Sequence, residues 1–191
     1  MKIVAITGPR GHGKSTAAAA LEARGYVHLN FADPLREIAK IAYGLTMKEM
    51  LDPVLKETKL DRWPFKSPRE ILQHIGTDMF RNYVDDTWVQ AWANKAKAYL
   101  DGKVANGFGG VRVVEGVVCS DCRFLNEAAA VRAMGGAIIR VQDPRKHTAD
   151  AASQHASETE MAKIVPDWSI TNDRAIADLH NAIEMIVFDK D

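Results

Sequence analysis

The chain has 191 residues, 47% of them apolar and 26% charged, with 25 basic and 25 acidic side chains. That length and balance fit one globular domain with a real core, and a formal net charge of zero argues against a broad nucleic-acid-binding surface. No apolar run approaches about 18 residues, so a membrane-spanning helix is excluded. The chain starts directly into a strand, so no signal peptide is expected, and two cysteines build no disulfide framework, which suits a reducing cytosol.

Residues 2–7 read as a strand, followed by Gly8-Pro-Arg-Gly-His-Gly-Lys-Ser15 and a helix to Arg24, with Gly25 placed to cap it. The glycine-rich stretch fits G-x-x-x-x-G-K-S/T without a gap, in the strand–turn–helix context which that motif requires. Its physical reading is a cradle of backbone N–H groups around phosphate oxygens, backed by a helix N-terminus. Gly11, His12, Gly13, Lys14, Ser15 and Thr16 are then the nucleotide-binding residues. Lys14 reaches the β- and γ-phosphates and the Ser15 hydroxyl holds Mg²⁺. Tyr26 to Phe31 reads as a second strand, and alternation of strands with helices predicts a parallel α/β sheet.

Asp33 is expected as the N-cap of a helix to about Tyr43, with Pro34 at its first position. Arg36 sits one turn into it, facing either an anionic substrate or solvent. Met47 to Leu51 reads as a short helix and residues 56–66 as an excursion over the sheet edge. Ser67, Pro68 and Glu70 form a strong helix start, with Ile71, Leu72 and Ile75 as its apolar stripe. Gly76-Thr77-Asp78 is expected to break this helix before Met79–Tyr83 resumes it. A helix over about 86–100 places Trp88, Val89, Trp92, Ala96 and Tyr99 on a buried face, where the two tryptophans read as core rather than ligand platforms.

Residues 102–110 hold four glycines and are expected to form a loop, followed by a buried strand from Val111 to Ser120. That strand ends at Asp121, and an apolar strand ending in Asp after such a phosphate loop suggests a second Mg²⁺ ligand. Arg123 follows, and Glu127 fits a surface position on a helix over 125–134. Cys119 and Cys122 have the C-x-x-C spacing but neither the partners of a zinc site nor the context of a redox motif. Ala137–Val141 and Asp167–Thr171 are the last strands, and the helix over 174–187 turns Ile176, Leu179, Ile183 and Ile186 to one face. Residues 143–157, with Arg145, Lys146, His147 and His155, read either as a lid over phosphates or as a plain surface loop.

Several stretches together resemble the bacteriophage deoxynucleoside monophosphate kinases, which are P-loop NMP kinases. They are Gly8–Ser15, Leu72-Gln-His-Ile-Gly-Thr-Asp78, Trp88-Val89, Asp121-Cys-Arg123 with Glu127, Arg132–Gly136, His155 with Glu158, and Ile170-Thr-Asn-Asp173. The resemblance implies a P-loop NTPase fold of about five parallel strands flanked by helices. It also implies one kinase domain over 1–191, with an NMP-binding helical region at about 33–100 and a short lid at about 143–158. The implied reaction moves the γ-phosphoryl group of ATP, with Mg²⁺, to a deoxynucleoside 5′-monophosphate. Lys14, Asp121, Arg123 and Arg145 become catalytic, and Ser15 and Asp121 hold the metal. Arg36, Arg69, Gln73, Gly76, Thr77, Trp88, Glu127, His155 and Glu158 become substrate contacts. Thr171 and Asn172 fall where related kinases hold the ATP adenine. The resemblance also implies a cytoplasmic enzyme (host cytoplasm for a phage-encoded one) acting on small molecules, with neither nucleic acid nor membrane as partner. It admits a homodimer, although no apolar stripe demands one. The expected lid carries one arginine, Arg145, fewer than in many NMP kinases.

The nearest rivals are other small P-loop kinases, acting on dephospho-coenzyme A, a sugar or shikimate, whose alcohol acceptors need a carboxylate base such as Asp33 or Asp121. A regulatory nucleotide switch is a rival of another class, yet the nearest string to its Asn-Lys-x-Asp motif is Asn94-Lys-Ala-Lys97. A phosphate-loop scaffold without turnover is the third.

Overall fold

Ile3-Val-Ala-Ile-Thr7 is buried along its whole length, as befits a strand covered on both faces. The computed structural model describes residues 1–105, 113–146 and 156–189, with the backbone alone for 156–158. There, β1 (Ile3–Thr7) is the middle strand of a five-stranded sheet ordered β2-β3-β1-β4-β5. Its neighbours are β2 (Tyr26–His28), β3 (Gly116–Cys119), β4 (Ala137–Gln142) and β5 (Trp168–Thr171), and every pairing is parallel.

Helices cover both faces. Val4 and Ile6 of β1 pack against Ala17, Ala18 and Leu21 of α1 (Lys14–Ala23) and against Leu179, Ile183 and Val187 of α8 (Ile176–Phe188). On the opposite face, α6 (Leu125–Ala133) lies against β1 and β4. A side chain at Gly136 would strike both Ile3 and Val131, so the turn after α6 brings that helix close to the sheet. α7 (Ala156–Lys163) follows β4 and is a helix the sequence reading did not foresee.

The described chain falls into two compact units, Met1–Asn30 with Ala93–Asp191, and Phe31–Trp92. The second is helical. It holds α2 (Asp33–Tyr43), α3 (Met47–Leu51), α4 (Pro68–Gln73), a π-helical stretch (His74–Arg81) and the start of α5 (Thr87–Leu100). Its own core gathers Ala39, Leu45, Met50, Ile71, Leu72, Ile75 and Trp88. Ser67 and Glu70 make the expected capping box of α4, and Thr46 with Glu49 makes a second one on α3.

The structure corrects several boundaries. β2 stops at His28 rather than Phe31, because the Asn30 side chain turns to accept the Ser120 N–H at 2.9 Å. Of the described part of the expected strand, 113–120, only Gly116–Cys119 form β3, since its neighbours β2 and β1 begin only at Tyr26 and Ile3, and Val113 is exposed. Ala32, not Asp33, caps α2, and the Asp33 carboxylate binds Arg36 instead. Gly76-Thr77-Asp78 does not break its helix. The backbone widens to i→i+5 bonding, with Asn82 N–H donating to the Thr77 carbonyl at 2.9 Å, while the Trp88 indole N–H takes the Gly76 carbonyl. On α8, Ile176 is exposed and Val187 is buried in its stead. Residues 106–112, the end of the expected glycine-rich loop and the first two residues of the expected strand, lie outside the described residues, as do 147–155 of the expected lid.

Candidate active site

All five strands run the same way, so their C-terminal ends share one edge, where ligands of open α/β sheets bind. The Gly8–Ser15 loop leaves β1 there. Gly8 has φ +134°, and a Cβ on it would lie 2.2 Å from the Val141 carbonyl oxygen. Gly13 has φ +98°, and a Cβ on it would lie 2.4 Å from Asn172 Nδ2. Both positions therefore need glycine, for backbone conformation and for space. Between them Gly11 also has a positive φ, +78°, and the His12 N–H donates to the Pro9 carbonyl at 3.4 Å, so the loop turns back on itself.

The start of α1 is open. Gly13 offers no side-chain cap, and no acidic residue stands in the first turn. The start of α6 is closed in comparison. Its Arg123 and Phe124 N–H groups donate to Glu127 Oε2 at 2.8 and 3.1 Å, and Leu125 N–H donates to Glu160 at 3.2 Å. Of these two helix ends on the sheet, α1 is the one left to receive an external anion.

Lys14 is buried, its ammonium donating to the Pro9 carbonyl at 2.7 Å, while Ser15 is exposed and Thr16 half-buried. Lys146 donates to the Gly11 carbonyl. His12 is 4% exposed, and its Nδ1 accepts the Asp143 backbone N–H at 2.9 Å. A backbone N–H can only donate, so the His12 ring is neutral at Nδ1. Asn172 Nδ2 donates to the His12 carbonyl at 3.1 Å, which ties the turn after β5 to the phosphate loop, with Thr171 exposed beside it.

Pairing of Ala5 with Cys119 brings Asp121 to the same edge, two residues beyond β3 and half-buried, with Arg123 following. Glu127 is 2% exposed, not the surface residue that helix position suggests, and its carboxylate holds the Arg123 turn. Ser15 and Asp121 offer oxygen donors, and no group of three His, Cys, Asp or Glu able to hold a metal occurs among the described residues. That donor set fits Mg²⁺, which binds through one or two protein oxygens and the phosphates of its substrate rather than in an all-protein cage. Burial pushes the Cys119 and Cys122 thiols up, so neither is a ready nucleophile.

Arg145 belongs to this edge, bound to Asp143 through Nε at 2.9 Å and Nη2 at 3.0 Å. Hydrogen bonding from Arg145 holds the Asp143 carboxyl down at about 2, well below the usual carboxylate range. His155 and the Glu158 side chain lie outside the described residues.

The remaining expected residues belong to the Phe31–Trp92 unit. The Arg36 side chain is 14% exposed and donates to Asp33 Oδ1 at 2.6 Å. Arg69 is held by the Glu57 carboxylate, Nε lying 2.6 and 2.7 Å from its two oxygens. Gln73 and Thr77 are half-buried on one continuous helical stretch, Gly76 is buried, and Trp88 is core, its indole N–H donating to the Gly76 carbonyl at 2.9 Å. Arg81, which sequence reading passed over, buries its side chain to 9% exposure with Asp85 at 3.7 Å. Asp143 was missed too, while Lys146, expected in a lid, instead meets the phosphate loop at the Gly11 carbonyl. Only folding brings them to the phosphate loop, and nothing in their local sequence announces it.

The family model for deoxynucleotide monophosphate kinase matches residues 54–183. A protein of Acanthamoeba polyphaga mimivirus, provisionally named a deoxynucleotide monophosphate kinase, is 32% identical over 191 residues, covering 96% of this chain and 94% of its own. Among solved structures, dephospho-CoA kinase from Campylobacter jejuni superposes with a TM-score of 0.54 at 13% identity, over 98% of this chain and 96% of that one. The structural likeness establishes a P-loop kinase fold and no more.

Proposed function

The chain belongs to the deoxynucleotide monophosphate kinase family, and from that premise we propose that it transfers the γ-phosphoryl group of MgATP to a deoxynucleoside 5′-monophosphate, giving the diphosphate and ADP. The observation that carries the reading is the cradle itself. Gly8 and Gly13 stand where no side chain fits, and the uncapped start of α1 follows with Lys14 and Ser15 at its first turn.

The acceptor is a phosphate oxygen already ionised near neutrality, so the chain needs no strong general base. Its task is to hold two anions in line and neutralise the charge between them. Backbone N–H groups of residues 11–16 bind the β- and γ-phosphates, and Lys14 exchanges the Pro9 carbonyl for phosphate oxygens. Ser15 and Asp121 would hold Mg²⁺, which when bound shields the charge of the phosphate oxygens. Arg123, on the turn that Glu127 fixes, faces the transferring group. Arg36 and Arg69, pre-oriented by Asp33 and Glu57, bind the acceptor phosphate, while Gln73 and Thr77 read its base and sugar.

A coupled ADP-release assay tests this, using MgATP with dTMP, dGMP, dCMP, dAMP, their ribo counterparts, dephospho-coenzyme A and shikimate. ADP formation should require a deoxynucleotide and should fall roughly 10²- to 10⁵-fold in Lys14→Ala. ADP released equally without acceptor, or only with a non-nucleotide acceptor, would overturn the assignment.

A further inference from the structure

The Arg145 guanidinium is committed to its neighbours. Beyond the two bonds to Asp143, Nη1 donates to the Asp173 carbonyl and Nη2 to the Asn172 carbonyl, each at 3.1 Å. These four bonds can occupy four of the five guanidinium N–H groups. Asn172 continues the chain to the His12 carbonyl, and His12 Nδ1 returns it to the backbone of Asp143. A closed ring of hydrogen bonds thus links the end of β4, the turn after β5 and the phosphate loop. Asn172 fills the space beside Gly13, the last residue before α1.

We propose that Arg145 is a positioning residue, acting with Asp143 through Asn172 on the His12–Gly13 segment, so that its contribution is to the binding of the nucleoside triphosphate donor and not to the transferring phosphoryl group. The identity of that donor as MgATP rests on the kinase reading above. To reach a phosphoryl group, Arg145 would have to release both Asp143 oxygens and strand a carboxylate whose side chain is 4% exposed. A planar fork suits the bridging role, since it meets a carboxylate and two carbonyls at once, which an ammonium on a flexible stem does not.

The test measures MgATP affinity by calorimetric titration, without acceptor, alongside kinetics with MgATP varied. Arg145→Ala should weaken MgATP binding by about 10- to 100-fold, the loss expected from breaking one charge-assisted hydrogen bond or its equivalent. KM for MgATP should rise in step while kcat falls less than about 10-fold. Arg145→Lys should rescue little. Asp143→Asn should share the phenotype, and the double variant Asp143→Asn/Arg145→Ala should be no worse than Arg145→Ala alone. Should Arg145→Ala fail to fold, Asn172→Ala cuts the same ring at its link to His12 and should weaken MgATP binding in the same way. Wild-type MgATP affinity in folded Arg145→Ala, or a kcat loss above about 10²-fold there with Asp143→Asn unaffected, would overturn the proposal. The titration reads it even if no acceptor is phosphorylated, so its failure is separable from failure of the kinase reading.

Discussion

Replacing Glu127 by alanine should unfasten the turn that carries Arg123. One carboxylate oxygen accepts two successive backbone N–H groups, at 2.8 Å from Arg123 and 3.1 Å from Phe124, and the residue is 2% exposed. Alanine leaves both donors without that acceptor. A buried donor left unmet costs about 1–3 kcal/mol, and water reaching the partly exposed turn reduces this, so roughly 2–4 kcal/mol in all is expected. At about 2–4 °C per kcal/mol for a chain of this size, Tm should fall by roughly 4–16 °C. Glutamine keeps an acceptor oxygen and loses only the charge at the start of α6, a cost of about 1 kcal/mol. Urea denaturation followed by circular dichroism gives the stability change. The kinase assay should show kcat down by about 10- to 100-fold in the alanine variant as Arg123 shifts. Stability within about 0.5 kcal/mol of the parent, together with a raised KM for the deoxynucleotide alone, would refute this and turn the carboxylate toward the substrate.

Gly8→Ala would force a Cβ to within 2.2 Å of the Val141 carbonyl oxygen. Displacement of the loop or of β4 should then cut kcat/KM for MgATP by about 100-fold or more, measured by initial rates. Trp88→Phe keeps an aromatic ring in the helical core but leaves the Gly76 carbonyl without its indole donor. About 1–3 kcal/mol of stability should be lost in denaturant, and KM for the deoxynucleotide should rise through the loosened Gln73–Thr77 stretch. The Asp143 carboxyl is held at about 2, below its ordinary 3.8. Its contribution to stability is therefore complete above 3.8 and is lost as pH falls toward 2. Melting between pH 5 and 2.5 should show Asp143→Asn less acid-dependent than the parent, and identical slopes would count against the Arg145 pairing.

What could be read from the sequence was local. The phosphate loop is one contiguous motif, and the Ser67–Glu70 capping box spans four residues, so each states its own structure. The order of strands and helices, α7 apart, likewise follows from hydrophobic period. Long-range chemistry was hidden. His12, Asp143, Arg145 and Asn172 come from three chain segments, and only the β1–β4–β5 pairing brings them together. Arg145 therefore looked free for a lid. Glu127 looked like a surface residue because helix position says nothing about a side chain folding back onto its own N-terminus. Gly76 looked like a helix break because the partner for its carbonyl, Trp88, stands on the next helix.

Phe31 and Trp92, the first and last residues of the helical unit, are both buried with ring centroids 4.6 Å apart. The two ends of this unit's chain thus lie side by side. A segment fastened in that way behaves as a cassette, replaceable between two fixed posts without redrawing the strands on either side. Residues 31–92 can then be exchanged as one block while the phosphate loop stays as it is. The same closeness of ends makes this segment a natural unit for grafting between relatives, with the Phe31–Trp92 ring pair as the seam to preserve.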